Sequence, residues 1–82
     1  MSKQVNVYLG EDPYLTSVVV KTVTKCGKFL NTSGAQELIC GGHVTVDGTV
    51  HKMLHTILSP GPHVLTVRDD SYNIVIHHPL LE

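Results

Sequence analysis

Pro13-Tyr14-Leu15-Thr16-Ser17-Val18-Val19-Val20-Lys21-Thr22-Val23-Thr24-Lys25-Cys26-Gly27-Lys28 is the stretch on which the fold turns. Its composition and its spacing pull in opposite directions. Val18-Val19-Val20 and Thr22-Val23-Thr24 are β-branched, stiff at χ1 and suited to a pleated strand. Leu15, Val19, Val23 and Cys26, however, recur at four, four and three, which is the apolar stripe of a helix. Lys21, Lys25 and Lys28 recur at four and three as well, so a helix gathers them on one face. The punctuation agrees. Asp12 can cap the start, Pro13 fits the first helical position, and Gly27 supplies a stop. The spacing therefore predicts a helix over 13–27 that lines up three ammonium groups beside the turn at Asn31.

Upstream, Val5, Val7 and Leu9 alternate with Asn6 and Tyr8, a short half-buried strand that Gly10 to Pro13 interrupts. Downstream, Asn31-Thr32-Ser33-Gly34 forms a turn that can cap a second helix, Ser33 to Cys40, burying Ala35, Leu38 and Ile39. The period then changes. Val44 and Val46 alternate with His43 and Thr45, and Asp47-Gly48 follows; Asp-Gly between alternating segments signals a type I′ hairpin, whose two turn residues need positive φ. Met53 to Leu58 reads as an irregular apolar connector, and Ser59-Pro60-Gly61-Pro62 as a tight turn. His63 to Val67 and Tyr72 to Ile76 read as strands joined across Arg68-Asp69-Asp70-Ser71. The class is α+β: two packed helices against a small, mostly antiparallel sheet.

Eighty-two residues make one domain, here 1–82, with 68–77 as the final strand and 78–82 as a tail. A chain this short buries about 60% of its unfolded surface, which leaves little room for a deep active site. Hydrophobic residues at 41% against 16% charged describe a folded domain. No apolar run is long enough for a membrane span, and the opening Met-Ser-Lys-Gln lacks the pattern of a signal peptide. A cytoplasmic protein is the expectation. Cys26 and Cys40 form no Cys-x-x-Cys pair, so a zinc ribbon is excluded, and two reduced, half-buried thiols are expected. Net charge is −1, which argues against indiscriminate binding of nucleic acid. The distribution matters more than the sum, because no acid interrupts Pro13 to Gln36.

The order of elements resembles the S4 RNA-binding domain. Gly27, Asn31-Thr32, Ala35, Leu38-Ile39 and Gly42-His43-Val44-Thr45-Val46-Asp47-Gly48 stand, without gaps, where that family has its Gly, its Ser-Arg or Ser-Gly, its Ala, its Leu-Ile and its Gly-x-Val-x-Val-Asn/Asp-Gly. Ile57-Leu58-Ser59-Pro60-Gly61 is similar to the later Leu-x-Pro-Gly turn. The opening strand with Gly10 to Pro13 is similar to the small single-domain S4 proteins of bacteria. The resemblance covers about Gly10 to Val67.

It implies an S4-like (alpha-L) fold and a non-catalytic module that grips structured RNA, ribosomal or transfer. Phosphate contacts would come from basic side chains and from polar groups at a helix start. Carried over by residue, these are Lys21, Lys25 and Lys28 on the first helix; Asn31, Thr32 and Ser33 at the start of the second; Gln36 on its first exposed turn; and His51 and Lys52 after the hairpin. Thr32 stands where the family often has Arg, Val50 to His55 replaces a basic run, and Pro62 replaces an Asp. Few cations remain, so affinity should be weak and fall on the order of tenfold to a hundredfold between 50 and 200 mM salt.

Two other readings compete. A protein–protein interaction domain on the same scaffold would use Tyr72, Ile74 and Ile76 on an edge strand as contacts. A module belonging to a larger RNA-processing or aminoacylating enzyme would share the fold. Protonated His43, His51 and His55 would add positive charge around the hairpin near pH 6. The histidines do not suggest a metal site: His51 and His55 are four apart where no helix is predicted, and His77 and His78 point to opposite faces of a strand. No carboxylate pair, nucleophile elbow or phosphate loop is present in the sequence, so neither enzyme chemistry nor a cofactor nor a small-molecule substrate is expected.

Overall fold

Spacing wins over β propensity in the deciding stretch. The computed structural model describes residues 4–10 and 13–77, and it places strand β1 at Gln4–Tyr8, helix α1 at Leu15–Lys25, helix α2 at Thr32–Cys40, then β2 at Val44–Val46, β3 at Thr49–Val50, β4 at Gly61–Val67 and β5 at Asp70–His77. Leu15, Val18, Val19, Thr22 and Val23 form the buried face of α1. Four of the five are β-branched, so tertiary burial of the stripe overrides their local preference. The helix begins later than Pro13 suggests, with Tyr14 at the N-cap position. The connector supplies part of the capping, since the Thr56 carbonyl accepts from the Leu15 amide at 2.9 Å. The proposed cap Asp12 lies outside the described residues, as does the 78–82 tail.

The five strands form one sheet in the order β1-β5-β4-β2-β3. All neighbours are antiparallel except β1 and β5, which run parallel with Val7 opposite Ile76. The Asp47-Gly48 turn has φ of 53° and 83° at its two residues, the positive pair that a type I′ hairpin requires. Asp47 also ties the hairpin to the next strand. Its Oδ1 accepts from the Val64 amide at 2.9 Å, and its Oδ2 lies 2.7 Å from Nδ1 of His63, whose Nε2 faces the Ser59 carbonyl at 2.8 Å. These contacts, the Val64 amide first, hold the Asp47 carboxyl below its ordinary pKa. Between β4 and β5 the turn is tighter than the four residues expected: strand pairing runs to Val67 and Asp70, leaving only Arg68 and Asp69, with Arg68 at φ 57°.

Pairing register assigns the two faces of the sheet. Val7, Val44, Val46, Leu65, Val67, Ile74 and Ile76 point inward and join α1 and α2 in one core with Leu15, Val19, Ala35 and Ile39. The opposite face carries Asn6, Tyr8, Thr45, Val64, Thr66, Asn73 and His77, all exposed or half-buried. Two expectations fail here. β5 is interior, flanked by β1 and β4, and Ile74 and Ile76 are each 1% exposed, so they cannot serve as edge contacts. The parallel partner β1, distant in sequence, covers that edge. Cys26 and Cys40 are free but exposed rather than half-buried, because Cys26 falls past the last turn of α1 and Cys40 faces away at the end of α2.

Candidate nucleic-acid interface

The α1–α2 junction is where the predicted binding residues concentrate. Asn31 takes an extended conformation and its Oδ1 accepts from the Gly34 amide at 2.7 Å, the N-cap role its side chain suits. The Asn31 carbonyl accepts from Ala35 at 3.0 Å. That leaves the Thr32 and Ser33 amides in a first turn that has no intrahelical acceptor for them, at the positive end of the helix dipole. Thr32 shares a small hollow of about 90 Å³ with Thr16, Ser17, Val20 and Lys21. Lys21, three hydroxyl-bearing residues and the start of α2 therefore border one small hollow, together with the apolar Val20. Lys21 has no ion-pair partner among the described residues. Ser33 and Gln36 are exposed on the same helix.

The other two lysines of the stripe go elsewhere. Gly27, at φ 84°, closes α1 in a Schellman motif: its amide bonds to Thr24 at 3.1 Å, and the next amide, of Lys28, bonds back to Val23 at 3.2 Å. Lys28 is therefore off the helix, and the three-lysine face reduces to Lys21 and Lys25. The Lys28 ammonium sits 2.8 Å from Asp70, and this hydrogen bond, then the Asp70 charge, raises its pKa above the ordinary value. Lys25 reaches over the sheet edge, where it donates to the Asn6 carbonyl and lies 5.0 Å above the Tyr8 ring. Tyr8 in turn stacks on His77 with centroids 4.5 Å apart. Asn6 points its carbonyl away from β5, so Lys25 blunts an open strand edge.

His51 and Lys52 do not join the hollow either. Lys52 packs beside Gly42, so close that a Cβ there would lie 3.2 Å from its Cε. That is the C-terminal end of α2, about 13 Å along the helix from Asn31. The His51 amide bonds to the Val44 carbonyl at 3.3 Å and the residue is half-buried. His43 lies against Gly41, and His55 sets its ring edge-on to Tyr14 with centroids 4.9 Å apart. Among the described residues, no group of three or more His, Cys, Asp or Glu side chains is placed to hold a metal ion.

Two residues outside the predicted set stand beside this surface. Phe29, in the α1–α2 loop, and Arg68, in the β4–β5 turn, line one groove with Lys28. The available signal for Phe29 is an aromatic side chain, next to Leu30, in the connection between two predicted helices. Arg68 carried none, because its position follows from the pairing of β4 with β5. No protein-family model matches the chain, and no curated protein does. Among the described residues, no helix is long and apolar enough to cross a membrane.

Proposed function

We propose that this domain is a non-catalytic RNA-binding module on an S4-like scaffold, recognising structured RNA of the ribosomal or transfer type. The observation that carries the reading is the hollow shared by Lys21, Thr16, Ser17 and Thr32 at the start of α2. A phosphate there would lie among Lys21, hydroxyl-bearing side chains and the first turn of α2, the kinds of group by which helix starts hold anions. The element order supports the scaffold: two contiguous helices are followed by an Asp-Gly hairpin in the sheet. With Lys25 and Lys28 already engaged within the protein, Lys21 carries the charge at this position, and about one phosphate would be neutralised here. Affinity is then modest and salt-dependent.

A protein–protein role is the second reading. Met53 is 73% and Ile57 53% exposed, near Tyr14 on the connector, and these replace the buried Ile74 and Ile76 as candidate contacts. Titration of a structured RNA at 50 and 200 mM salt, with wild type and Lys21→Ala, separates the two. RNA binding gives a saturable isotherm whose log–log salt slope shrinks by about 1 in the variant. Absence of saturable binding at 50 mM salt refutes the RNA reading.

A further inference from the structure

Phe29 is 89% exposed, more than any other large apolar side chain described. A ring that buries so little surface contributes almost nothing to the core. It lines a groove with Leu30, Leu38 and Tyr72, which are buried or half-buried, and with the exposed Lys28 and Arg68. The groove's carboxylate, Asp70, is already paired with Lys28 at 2.8 Å. The Arg68 guanidinium has no hydrogen-bond or ion-pair partner among the described residues. Among the residues lining the groove, the unpaired charge is that of Arg68, beside an open aromatic face.

We propose that Phe29 is a stacking platform for an unpaired base of the bound RNA, with Arg68 holding the adjoining phosphate. The inference rests on the RNA-binding reading and deepens it by naming single-stranded nucleotides, in a loop or bulge, as the part of the RNA engaged here. Unpaired bases offer flat faces that stack on aromatic rings without regard to sequence, while a nearby cation takes the backbone. A peptide anchor fits less well: such side chains favour enclosed, desolvated pockets, and a ring so exposed encloses nothing. Phe29 and Arg68 come from separate connections, α1–α2 and β4–β5, which the fold brings to one groove.

The test compares two RNAs at one salt concentration, a stem closed by a loop of unpaired nucleotides and the same stem as a blunt duplex. Wild type should favour the looped RNA on the order of tenfold, and Phe29→Ala should abolish that preference, since stacking one base contributes on that scale. Phe29→Trp should keep it, and Lys21→Ala should weaken both RNAs alike. A 2-aminopurine in the loop should change its fluorescence with wild type and not with Phe29→Ala. Equal binding of the two RNAs by wild type, or an unaltered preference in Phe29→Ala, overturns this inference and leaves the RNA reading standing. No saturable binding of either RNA overturns both. Self-association of wild type that Phe29→Ala removes, with RNA preference unchanged, identifies a protein contact and likewise overturns it. Phe29 is outside the core, so the alanine variant should retain the wild-type circular dichroism spectrum.

Discussion

Thr22→Val should make the domain more stable. Thr22 is 0% exposed on the inward face of α1, and its Oγ1 is buried with no hydrogen-bond partner among the described residues. A buried hydroxyl left unmade costs roughly 1–3 kcal/mol. Valine replaces that hydroxyl with a methyl of nearly the same shape, keeps the β-branch and differs little in helix propensity. The gain expected is about 1–2 kcal/mol, and in a domain of this size each kcal/mol moves Tm by roughly 4–8 °C. Urea unfolding followed by circular dichroism should show a higher midpoint at unchanged slope, the signature of altered stability without altered exposed surface. Thr22→Ser, which keeps the hydroxyl and loses the methyl, should move the midpoint the other way. A valine variant no more stable than wild type would refute the argument, because the hydroxyl would then have to be satisfied in the folded protein.

The hairpin yields two further tests. The folded-state pKa of Asp47 is depressed, so its contribution is complete well above the ordinary aspartate value of about 4 and is lost as pH falls through the lower, folded one. Asn suits the same turn position and its amide oxygen can still accept from Val64, so Asp47→Asn should lose less of its urea midpoint than wild type between pH 6 and pH 3; parallel losses would count against the linkage. Gly48 has φ 83° with nothing within 4 Å of an added Cβ. Gly48→Ala should therefore cost about 1 kcal/mol from backbone conformation alone, and a neutral urea midpoint would sink that account.

Local pattern carried much of this fold. The 15-19-23 spacing identified α1 despite its valines, and Asp47-Gly48 identified the hairpin, because both depend on residues a few positions apart. What local pattern lacked was partnership at a distance. β5 looked like an edge strand since nothing near it in sequence announces that β1 will lie alongside. The Arg68-Asp69 turn looked longer for the same reason, because register with β4 decides where β5 begins. The candidate site divides along the same line. A capping turn within Asn31 to Gly34 is legible; that Asn31 is the cap of a helix starting at Thr32, and that Thr32 shares a hollow with Lys21, is not. Nor is the place of Lys28: Gly27 marks the stop locally, but the Schellman reversal it produces and the acceptor at Asp70, 42 residues on, leave no local trace.

The parallel seam between β1 and β5 has a consequence for how the molecule comes into being. Gln4 pairs with Asn73 and Tyr8 with His77, so β1 must wait for a partner strand made 69 residues later. Such distant closures are slow. Until then Val7 and Leu9 have no neighbouring strand, and a nascent chain exposes them together with the unsatisfied inner flank of β1. The hairpin pairs residues close in sequence and can settle as soon as it is made, whereas the β1 seam can close only once β5 is present.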